Sequence, residues 1–590
     1  MAYFHGCIGA QLGLLVDGDI TARRLDKEEM MRKIIALTIW LFFFVNSAIA
    51  AVELGIQPVP DAAPIIHPPE SEPRSIHWNE NLDIYVQMGK LDMPVHEDIR
   101  RCILADDGTV VYYLDGYNQK GIEPSTAGIC EMEIPGKLVA IGVFTGEASD
   151  YVGHYAHNIT KDTYSLITTK DDNDTLGLQD DIFTPGDEFE ICTGVFNGDD
   201  GQVMVEIPAF YYKYQYWGGW HSYSVSYDQL PGYNLHPAFH KNGVDVESRY
   251  VGAYEGVLYD VSGSKYINGL YLPSKAPHRM SFDGTAETIT SDDLTHPFAN
   301  LEAGVDTIVI SGTQRNDHTC GIISVTDTTI TVDCDLRDEP HALCTIQTQR
   351  DWKYDILGSV AGKAPTTNGT RVQFRAIAAN RGDGWRQMDF DLMSAIQLLY
   401  LIEYSSFNSQ LKIGAGLTDW DSSWEGWNNF NSIEKTGLSN VTKGITGSVS
   451  NSDGIKGSYM SYRGIENFYG HLLKWVDGVN FDNRTPYVCN DDATFFDDYR
   501  GYCYTSLGVT LPNSYGQQRT LKQTGKGFLP ASVGAKPGTH IADYYWPGSG
   551  WTVMVMGGNA AYGDMAGAFY LDIGLPSSYS HRCITGRLCY

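Results

Sequence analysis

The chain has 590 residues, of which 43% are hydrophobic and 19% charged, so it is a globular chain too long for one core. Its formal net charge of −30 repels phosphate backbones and anionic lipid surfaces, which argues against nucleic acid as a partner. The β-forming residue types are abundant, with 37 Tyr and 12 Trp. This composition predicts a mostly β chain of the α+β class.

Residues 1–50 have the features of a leader. A basic start at Met30-Met31-Arg32-Lys33 precedes the apolar run 34–45 and then Ala48-x-Ala50. This order predicts a signal-peptide-like segment at 31–50 and export to the cell surface or the extracellular space. The apolar run is short for a spanning helix. A retained signal anchor is the alternative.

The cysteines permit disulfide bonds. Cys7 lies in the leader, and the ten cysteines that follow form an even set. An even number after an export signal is typical of disulfide-bonded proteins. No CxxC pair occurs, so zinc ribbons and thioredoxin-type sites have no support. The alternative is that most of these cysteines are buried free thiols.

The remainder of the chain divides into a linker and four larger regions. The predicted regions are a linker at 51–80, an N-terminal β region with an insertion at 81–200, a β-rich region at 201–290, a small β-sandwich or barrel insertion at 291–350, and a C-terminal domain at 351–590. The predicted strands are 109–114, 138–144, 203–213, 306–311, 321–326, 329–333 and 342–347.

One clear helix is predicted between Asp389 and Tyr404. Its residues at helical spacing are Leu392, Met393, Ile396, Leu399, Tyr400 and Glu403. This mostly apolar stripe predicts a packing face. Asp389 or Asp391 is expected to cap the helix start.

Known catalytic patterns are not found in the sequence. It has no HExxH, no Walker P-loop, no Rossmann glycine fingerprint and no GxSxG elbow. The acidic run 171–177 resembles a calcium loop, but its Gly falls one place late and no Glu follows at the required position. We therefore assign no catalytic residue, no metal ligand and no cofactor.

Three stretches of the C-terminal third carry a resemblance to a known family. They are Gly384–Leu392 continuing to Gly414, Tyr462–Asn467 with Gly470 and Trp475–Gly478, and Gly557-Gly558 with Gly563, Gly567–Phe569, Ser577-Ser578 and Gly586–Leu588. Together they resemble phage tail-fibre proteins and the variable proteins of diversity-generating retroelements, similar to the major tropism determinant class. Those proteins carry a C-type-lectin fold of the formylglycine-generating, sulfatase-modifying type.

The resemblance implies a non-enzymatic receptor-binding protein. On that basis 351–590 is a C-type-lectin-like domain with a variable C-terminal binding face. The implied partners are a host-surface receptor or another protein or glycan ligand, other tail proteins, and two further copies in a homotrimer. The implied location is the virion tail, in tension with the signal-like segment, which favours export.

Two departures from the family bear on the alternatives. The family pattern Gly-Asn-x-x-Glu-Trp is replaced by Gly470-His471-Leu472-Leu473-Lys474-Trp475. A formylglycine-generating oxidase needs reactive cysteines shortly after the Gly-Gly motif, but 559–575 has none, and Cys583 and Cys589 stand elsewhere. A metal-dependent oxidase of that type therefore remains an alternative only, beside a purely structural tail component.

The predicted ligand-binding residues lie between the Gly-Gly motif and Cys583. There, small or apolar frame residues alternate with polar and aromatic ones of the types used by antibody paratopes and yielded by adenine-directed mutagenesis of Asn codons. The predicted set is Asn559, Tyr562, Asp564, Tyr570, Asp572, Tyr579, His581 and Arg582. We expect this set, Asp564 aside, to form one exposed face, with Phe569, Trp385 and Trp475 in the core. The alternative is that they are ordinary loop residues.

Overall fold

The computed structural model describes most of the chain after residue 73. The described residues are 74–81, 84–88, 99–115, 118–119, 126–144, 155–161, 163–178, 181–192, 196–272, 279–292, 294, 296–418, 433–440, 446–450, 456–497, 503–535 and 541–590. The predicted leader, the signal-like segment 31–50 and most of the linker lie outside them. Within the described ranges, no helix is both long and apolar enough to cross a membrane.

Strands dominate the described residues. The first are β1 (Arg74–Asn79), β2 (Ile84–Met88), β3 (Arg100–Leu104), β4 (Val110–Asp115), β5 (Asn118–Gln119), β6 (Thr126–Ile129), β7 (Lys137–Val139), β8 (Tyr155–Asn158), β9 (Thr163–Lys170), β10 (Thr175–Leu178) and β11 (Glu188–Cys192). The next are β12 (Gln202–Pro208), β13 (Tyr211–Trp217), β14 (Trp220–Ser226), β15 (Asn234–Leu235), β16 (His240–Lys241), β17 (Val244–Asp245), β18 (Ser248–Gly252), β19 (Val257–Asp260) and β20 (Lys265–Ile267).

The second half contains further strands and the helices. In chain order these strands are β21 (Tyr271–Leu272), β22 (Met280–Asp283), β23 (Thr288–Ser291), β24 (Thr307–Ser311), β25 (Thr319–Val325), β26 (Thr329–Val332), β27 (Glu339–Ala342), β28 (Thr345–Thr348), β29 (Ile356–Gly358), β30 (Arg386–Gln387), β31 (Thr446–Ser450), β32 (Lys456–Tyr462), β33 (Ile465–Glu466), β34 (Leu473–Asp482), β35 (Thr485–Val488), β36 (Thr505–Ser506), β37 (Gly516–Leu521), β38 (Pro530–Val533), β39 (Tyr544–Trp546), β40 (Trp551–Met556), β41 (Leu571–Leu575), β42 (Ile584–Thr585) and β43 (Leu588–Cys589). The α-helices are α1 (Arg371–Ala379), α2 (Phe390–Tyr404) and α3 (Ser409–Lys412), and short 3₁₀ turns occur at Pro237–Phe239, Asp492–Thr494 and Gly563–Met565.

These elements confirm the predicted mostly β, α+β class. The predicted helix is confirmed as α2, and its cap is Asp389, whose carboxylate accepts a hydrogen bond from the Leu392 N–H at 2.9 Å. The helix is buried on every side from Phe390 to Ile402, so its packing surface is wider than the predicted stripe. A helix that is apolar around its full circumference lies inside a core.

Two predicted strands are each divided in the structure. The run 203–213 becomes β12 and β13, because β12 ends at Pro208, whose ring nitrogen has no hydrogen to donate to a ladder. The run 342–347 is divided between the end of β27 and the start of β28. Most of the other predicted strands match described strands to within a few residues, whereas 138–144 matches only the short β7.

A seven-stranded sheet joins the two ends of the described chain. Its order is β30-β43-β18-β12-β3-β4-β5. Cys589 near the C-terminus pairs with both Val251 and Arg386. The largest hydrophobic core runs from Ile76 to Cys589, so the N-terminal strands, α2 and the C-terminal strands share one interior. All described residues belong to one compact unit, Ser71–Tyr590.

Two sheets have cores of their own. The order β6-β11-β8-β9-β10-β7 encloses the cluster that runs from Cys130 to Ile191. The order β21-β28-β24-β25-β26-β23-β22-β27, called the inserted sheet below, encloses the cluster from Leu272 to Ile346. The chain leaves the main body after β20, which pairs with β19, and returns at β29, which pairs with β19 at Leu258 and Leu357. The predicted domain bounds themselves remain predictions.

The predicted binding residues lie in the C-terminal sheet, at Asp572, and in the segments before and after β41. The order of this sheet is β36-β35-β34-β40-β41-β39-β37-β38, with β42 added parallel to β34. Trp385, Trp475 and Phe569 are fully buried, which confirms their predicted place in the core.

The cysteines divide between disulfides and free thiols. Cys320 bonds to Cys334, and Cys489 bonds to Cys503. The free cysteines of the described residues are all buried, and they are Cys102, Cys130, Cys344, Cys583 and Cys589. Each of the two expectations, disulfides and buried thiols, therefore holds for part of the set.

Candidate functional site at the C-terminal sheet

Strands β39, β40 and β41 form the floor of the candidate site. In the parallel pair of β39 and β41, Tyr545 lies beside Leu571 and Trp546 beside Asp572. Successive side chains of a strand point to opposite faces. Tyr545 and Leu571 pack into the main core, so Trp546 and Asp572 point to the other side of the sheet.

Aromatic side chains collect on that other side. Tyr544 and Trp546 alternate out of β39 and are half-buried, and Tyr570 precedes Asp572 by two positions on the same face. The exposed Tyr515 ring stacks on Trp546 with centroids 5.4 Å apart and planes inclined by 24°. Its angle to the Tyr544 ring is 27°. The Tyr544 and Trp546 rings are inclined by 45° to each other. We call these three rings the aromatic ladder, which reaches solvent at Tyr515.

The loop 557–570 lies across this face. It begins at Gly557 and Gly558, which have φ values of +88° and +74°, and a Cβ on Gly558 would stand 2.6 Å from the Cβ of Ala566. Only glycine fits such a left-handed and crowded turn. The loop then places the Tyr562 ring against the Tyr570 ring, with centroids 5.5 Å apart.

Buried hydrogen bonds hold the end of this loop. The Gln397 side-chain amide donates to the Ala568 carbonyl at 2.6 Å, and the Gln518 amide donates to the Phe569 carbonyl at 2.6 Å. The Asp543 carboxylate accepts from the Phe569 N–H at 2.7 Å. The frame positions Ala568 and Phe569 are therefore fixed by their backbone as well as by their burial.

The tail 576–583 closes the other side of the site. The Tyr579 N–H donates to the Pro576 carbonyl, and the His581 carbonyl accepts from the N–H groups of Asn368 and Ile584. The Tyr579 and His581 rings are stacked, with planes inclined by 10°. We call the set Tyr544, Trp546, Tyr562, Tyr570, Asp572, Tyr579 and His581 the aromatic face.

Burial shifts the pKa values of the titratable groups at the aromatic face. Burial raises the pKa of Asp572 to about 6, although the Gly574 N–H lowers it in part. Burial raises the pKa of Tyr562, and Cys583, Asp572 and Tyr579 add to that shift. Burial also raises the pKa of the Cys583 thiol to about 12. The face therefore contains neutral hydroxyls, a neutral thiol and a carboxyl whose pKa is raised to about 6.

Burial corrects the predicted exposure of four residues. Asn559 and Tyr570 are fully buried, Arg582 is 2% exposed and Asp572 is 8% exposed. The prediction that these four lie on an exposed face is wrong. The loop 557–570 and the tail 576–583 fold over the sheet and bury the four side chains. Tyr562, Tyr579 and His581 are half-buried, and Asp564 is exposed. Among the predicted residues, Tyr562, Tyr570, Asp572 and Tyr579 lie near one another on one side of the C-terminal sheet.

Sequence reasoning missed the aromatic ladder. Tyr544 and Trp546 sit two positions apart in the run Tyr544-Tyr545-Trp546, and Tyr515 lies about thirty residues earlier. The two-residue spacing is a strand signal that places both rings on one face. The stacking of Tyr515 on them depends on the pairing of β37 with β39, which no local pattern reveals.

Metal-binding side chains do not gather at this site. Among the described residues, no group of three or more His, Cys, Asp or Glu side chains is arranged to hold a metal ion. In the acidic run 171–177, Asp171 pairs with Lys137, and the Asp174 carboxylate accepts from the Gly142 N–H at 2.7 Å. These carboxylates serve the local loop structure.

A cleft lies elsewhere, beside β12 and β13. It measures about 730 Å³ and is lined by Arg100, Tyr113, Glu206, Pro208, Ala209, Tyr211, Tyr227, Leu235, Asp245, Val246 and Glu247. Its central carboxylate, Glu206, accepts hydrogen bonds from Ser248 at 2.7 Å and from Tyr250 at 3.2 Å. Arg100 lies 3.6 Å above the Tyr113 ring. Several of its polar groups are therefore satisfied by each other.

No family model and no curated protein matches the chain.

Proposed function

We propose that the protein is a non-enzymatic ligand-binding protein whose C-terminal domain, C-type-lectin-like in fold, presents the aromatic face to a receptor or ligand on another surface. The observation that carries the proposal is the convergence of Tyr544, Trp546, Tyr562, Tyr579 and His581 on one side of the C-terminal sheet. Half-buried aromatic side chains on a rigid frame supply large contact area at low cost in conformational entropy.

The chemistry of the cysteines supports binding over oxidase activity. A thiol must ionise to bind copper or attack a substrate. Burial raises the pKa of both Cys583 and Cys589 to about 12, so each remains a neutral thiol at physiological pH. Cys589 also lies inside the seven-stranded sheet, on a different element from the aromatic face.

The disulfides support a place outside the cytoplasm. Cys320–Cys334 and Cys489–Cys503 lie in two separate regions of the chain, and each closes a local loop. Disulfides persist in oxidising compartments and on virion or cell surfaces. We propose an exported or virion-surface location, where a receptor-binding role would be carried out.

Binding of the labelled full-length chain to intact bacterial cells and to a glycan array tests the proposal. We expect saturable binding to at least one of these probes. Tyr562→Ala and Tyr579→Ala should each weaken it by about 1–3 kcal/mol, or roughly 5- to 150-fold, with a small change in melting temperature. Tyr354→Ala is the matched control, because Tyr354 is 59% exposed and lies outside the aromatic face.

Three outcomes would contradict the proposal. They are binding of the chain to none of the probes, binding of the two tyrosine variants equal to that of the parent, and loss of binding that follows only from unfolding of the variants. A turnover signal with a cysteine peptide and copper would instead favour the oxidase alternative.

A further inference from the structure

The cleft beside β12 and β13 lies where the chain passes from one sheet to another. β12 belongs to the seven-stranded sheet and ends at Pro208, whereas β13 begins at Tyr211 in a five-stranded sheet of order β15-β13-β14-β1-β2. Pro208, Ala209 and Tyr211 all line the cleft. Its volume of about 730 Å³ is within the range of roughly 300–1,000 Å³ that is typical of ligand-binding clefts. The change of sheet therefore leaves an opening large enough for a ligand.

One set of polar groups in the cleft is satisfied internally. Glu206 lies in cross-strand register with Arg100 on β3 and with Tyr250 on β18. Its carboxylate accepts hydrogen bonds from the Ser248 hydroxyl at 2.7 Å and from the Tyr250 hydroxyl at 3.2 Å. Arg100 Nε lies 4.0 Å from Glu206 Oε2, and the guanidinium covers the Tyr113 ring. Arg100 and Glu206 therefore offset each other and add no net charge to the cleft.

The other charged groups of the lining are acidic. Asp245 and Glu247 both line the cleft at exposed positions. One Asp245 oxygen lies 2.6 Å from His240 Nδ1. The Glu247 carboxylate has no hydrogen bond or ion pair among the residues that the structure describes. Since one arginine faces three carboxylates, the lining has an excess of negative charge, and Glu247 is available to pair with a cation from outside the chain.

Apolar and aromatic side chains form the rest of the lining, and all of them are half-buried. They are Pro208, Ala209, Leu235 and Val246 together with Tyr211 and Tyr227. Val244, which precedes Asp245, is 62% exposed and adds apolar surface beside the cleft. An arginine side chain packs its aliphatic stem along apolar surface and keeps its charged head near water. Its guanidinium is also attracted to the faces of tyrosine rings. The lining therefore has surfaces that suit both parts of an arginine side chain.

We propose that this cleft docks a basic segment of a partner polypeptide through an arginine side chain, whose stem packs on Leu235 and Val246 and whose head pairs with Glu247. The site lies on other strands than the aromatic face and does not depend on the binding function proposed above. The net charge of −30 raises the local concentration of cationic partners. The cleft is larger than one side chain, so residues that flank the arginine enter it as well, which favours a polypeptide over a small free amine.

Fluorescence anisotropy of a labelled pentapeptide with a central arginine, titrated with the full-length chain, tests the inference. The matched peptide has citrulline at the centre, which keeps the size and planar shape of the side chain without its charge. We expect the arginine peptide to bind about fivefold or more tightly at low salt, and the difference to shrink as salt is added. Glu247→Gln should remove most of this preference. Glu131→Gln, at an exposed glutamate outside the cleft, should retain it.

Equal binding of the two peptides to the parent chain would overturn the proposal without any variant. So would a full preference for arginine in Glu247→Gln, because the charge would then be recognised elsewhere. Tighter binding of a peptide with a central glutamate would make Arg100 the recognising group and an anion the ligand. Displacement of the arginine peptide by an equal concentration of spermidine would replace the polypeptide by a small amine. Tyr562→Ala should leave the arginine preference intact, and its loss there would place the peptide at the aromatic face instead.

Discussion

The inserted sheet and the C-terminal sheet are stabilised in different ways. In the inserted sheet, β23, β26 and β28 alternate strictly between half-buried and buried residues, so one apolar face closes a simple core. In the C-terminal sheet, nine consecutive residues of β34 are buried, and they include Lys474, Asp477 and Asn480. The inserted sheet therefore has one buried face, as the alternation of its residues shows. The C-terminal sheet is buried on both faces at β34, and the charged side chains buried there must be paired.

The buried charges of the C-terminal region form chains of contacts. Glu255 lies between His471 and Lys474, with Lys474 Nζ 2.8 Å from Glu255 Oε1. Burial alone would raise the pKa of Glu255, but His471 and Lys474 outweigh it and lower the value to about 2. His471 and Lys474 stand where the resembling family has Asn and Glu, so the departure from the pattern is matched by a partner from a distant segment.

Removal of Glu255 should have the largest effect on stability. Glu255→Ala leaves Lys474 buried without its carboxylate, and we expect it to lower the free energy of unfolding by about 3–5 kcal/mol. Its counterpart in the inserted sheet is Glu339, which accepts the Gln314 N–H at 2.8 Å near the surface. Glu339→Ala should cost about 1 kcal/mol or less.

Tryptophan fluorescence during denaturant unfolding measures the first effect, because Trp385 and Trp475 lie in the C-terminal region and residues 271–348 contain no Trp. Hydrogen exchange reports on the inserted sheet. Equal losses of unfolding free energy in Glu255→Ala and Glu339→Ala would show that the two sheets do not differ in their dependence on buried charge pairs.

The two disulfides allow the regions to be compared at equal loop length. Each joins cysteines 14 residues apart, so the chain-entropy contribution is about 3 kcal/mol for both. The loop closed by Cys489–Cys503 also carries Asp497, whose carboxylate binds Arg371 and Arg375. The double Ser variant at Cys489 and Cys503 should therefore lose more stability than the one at Cys320 and Cys334.

Chemical unfolding of the two double variants measures the difference. Asp497→Asn in the parent chain is the control, because it should reproduce the excess without opening the disulfide. An equal loss in both double variants would mean that Asp497 adds nothing to the stability of its loop.

The buried carboxyl of Asp572 should make stability depend on pH. Its pKa is raised from 3.8 to about 6, so the folded state favours the protonated form. This contribution is fully present below pH 3.8 and is lost as the pH rises through 6. Asp572→Asn should therefore equal the parent near pH 4 and exceed it by roughly 3 kcal/mol at pH 7.5.

Melting curves of Asp572→Asn between pH 4 and pH 8 check this. Asp283 of the inserted sheet provides the opposite sign, because the N–H groups of Ala286 and Thr285 lower its pKa. Asp283→Asn should lose stability relative to the parent as the pH rises through the acid range. A flat pH profile for the Asp572 difference would show that the carboxyl is solvated.

The contrast between the regions also explains what the sequence could predict. Three strands of the inserted sheet, β24, β25 and β26, were predicted from the sequence, because alternation and turn residues are local signals. The short strands β21, β22 and β23 were not predicted. Helix α2 was found from its apolar spacing, but α1 was missed, although Thr370 and Gln373 form a capping box at its start. The capping box could have been recognised in the sequence. Helix α1 was nevertheless not predicted, because its residues show no clear apolar spacing.

The candidate site could be predicted only in part. Tyr562, Tyr570, Asp572 and Tyr579 lie near one another on one side of the sheet. That these residues bind a ligand stays a prediction. Their burial could not be read locally, because it results from the loop and tail folding over β39 and β41. Buried charges such as Arg101 and Arg587 likewise depend on partners hundreds of residues away.

The smallest expected difference concerns one hydroxyl in each region. Thr585 is fully buried and donates to the Thr366 carbonyl at 2.7 Å, whereas the half-buried Thr290 faces Thr329 at 3.1 Å across two strands of the inserted sheet. Thr585→Ala removes the donor from a buried carbonyl and should cost about 1–2 kcal/mol. Thr290→Ala leaves Thr329 in reach of water and should cost about 0.5 kcal/mol or less. Since both variants lose the same atoms, their difference isolates the effect of burial on a hydrogen bond. Thr585→Ser restores the hydroxyl and should recover most of the loss, and a failure to do so would assign the effect to the methyl group instead.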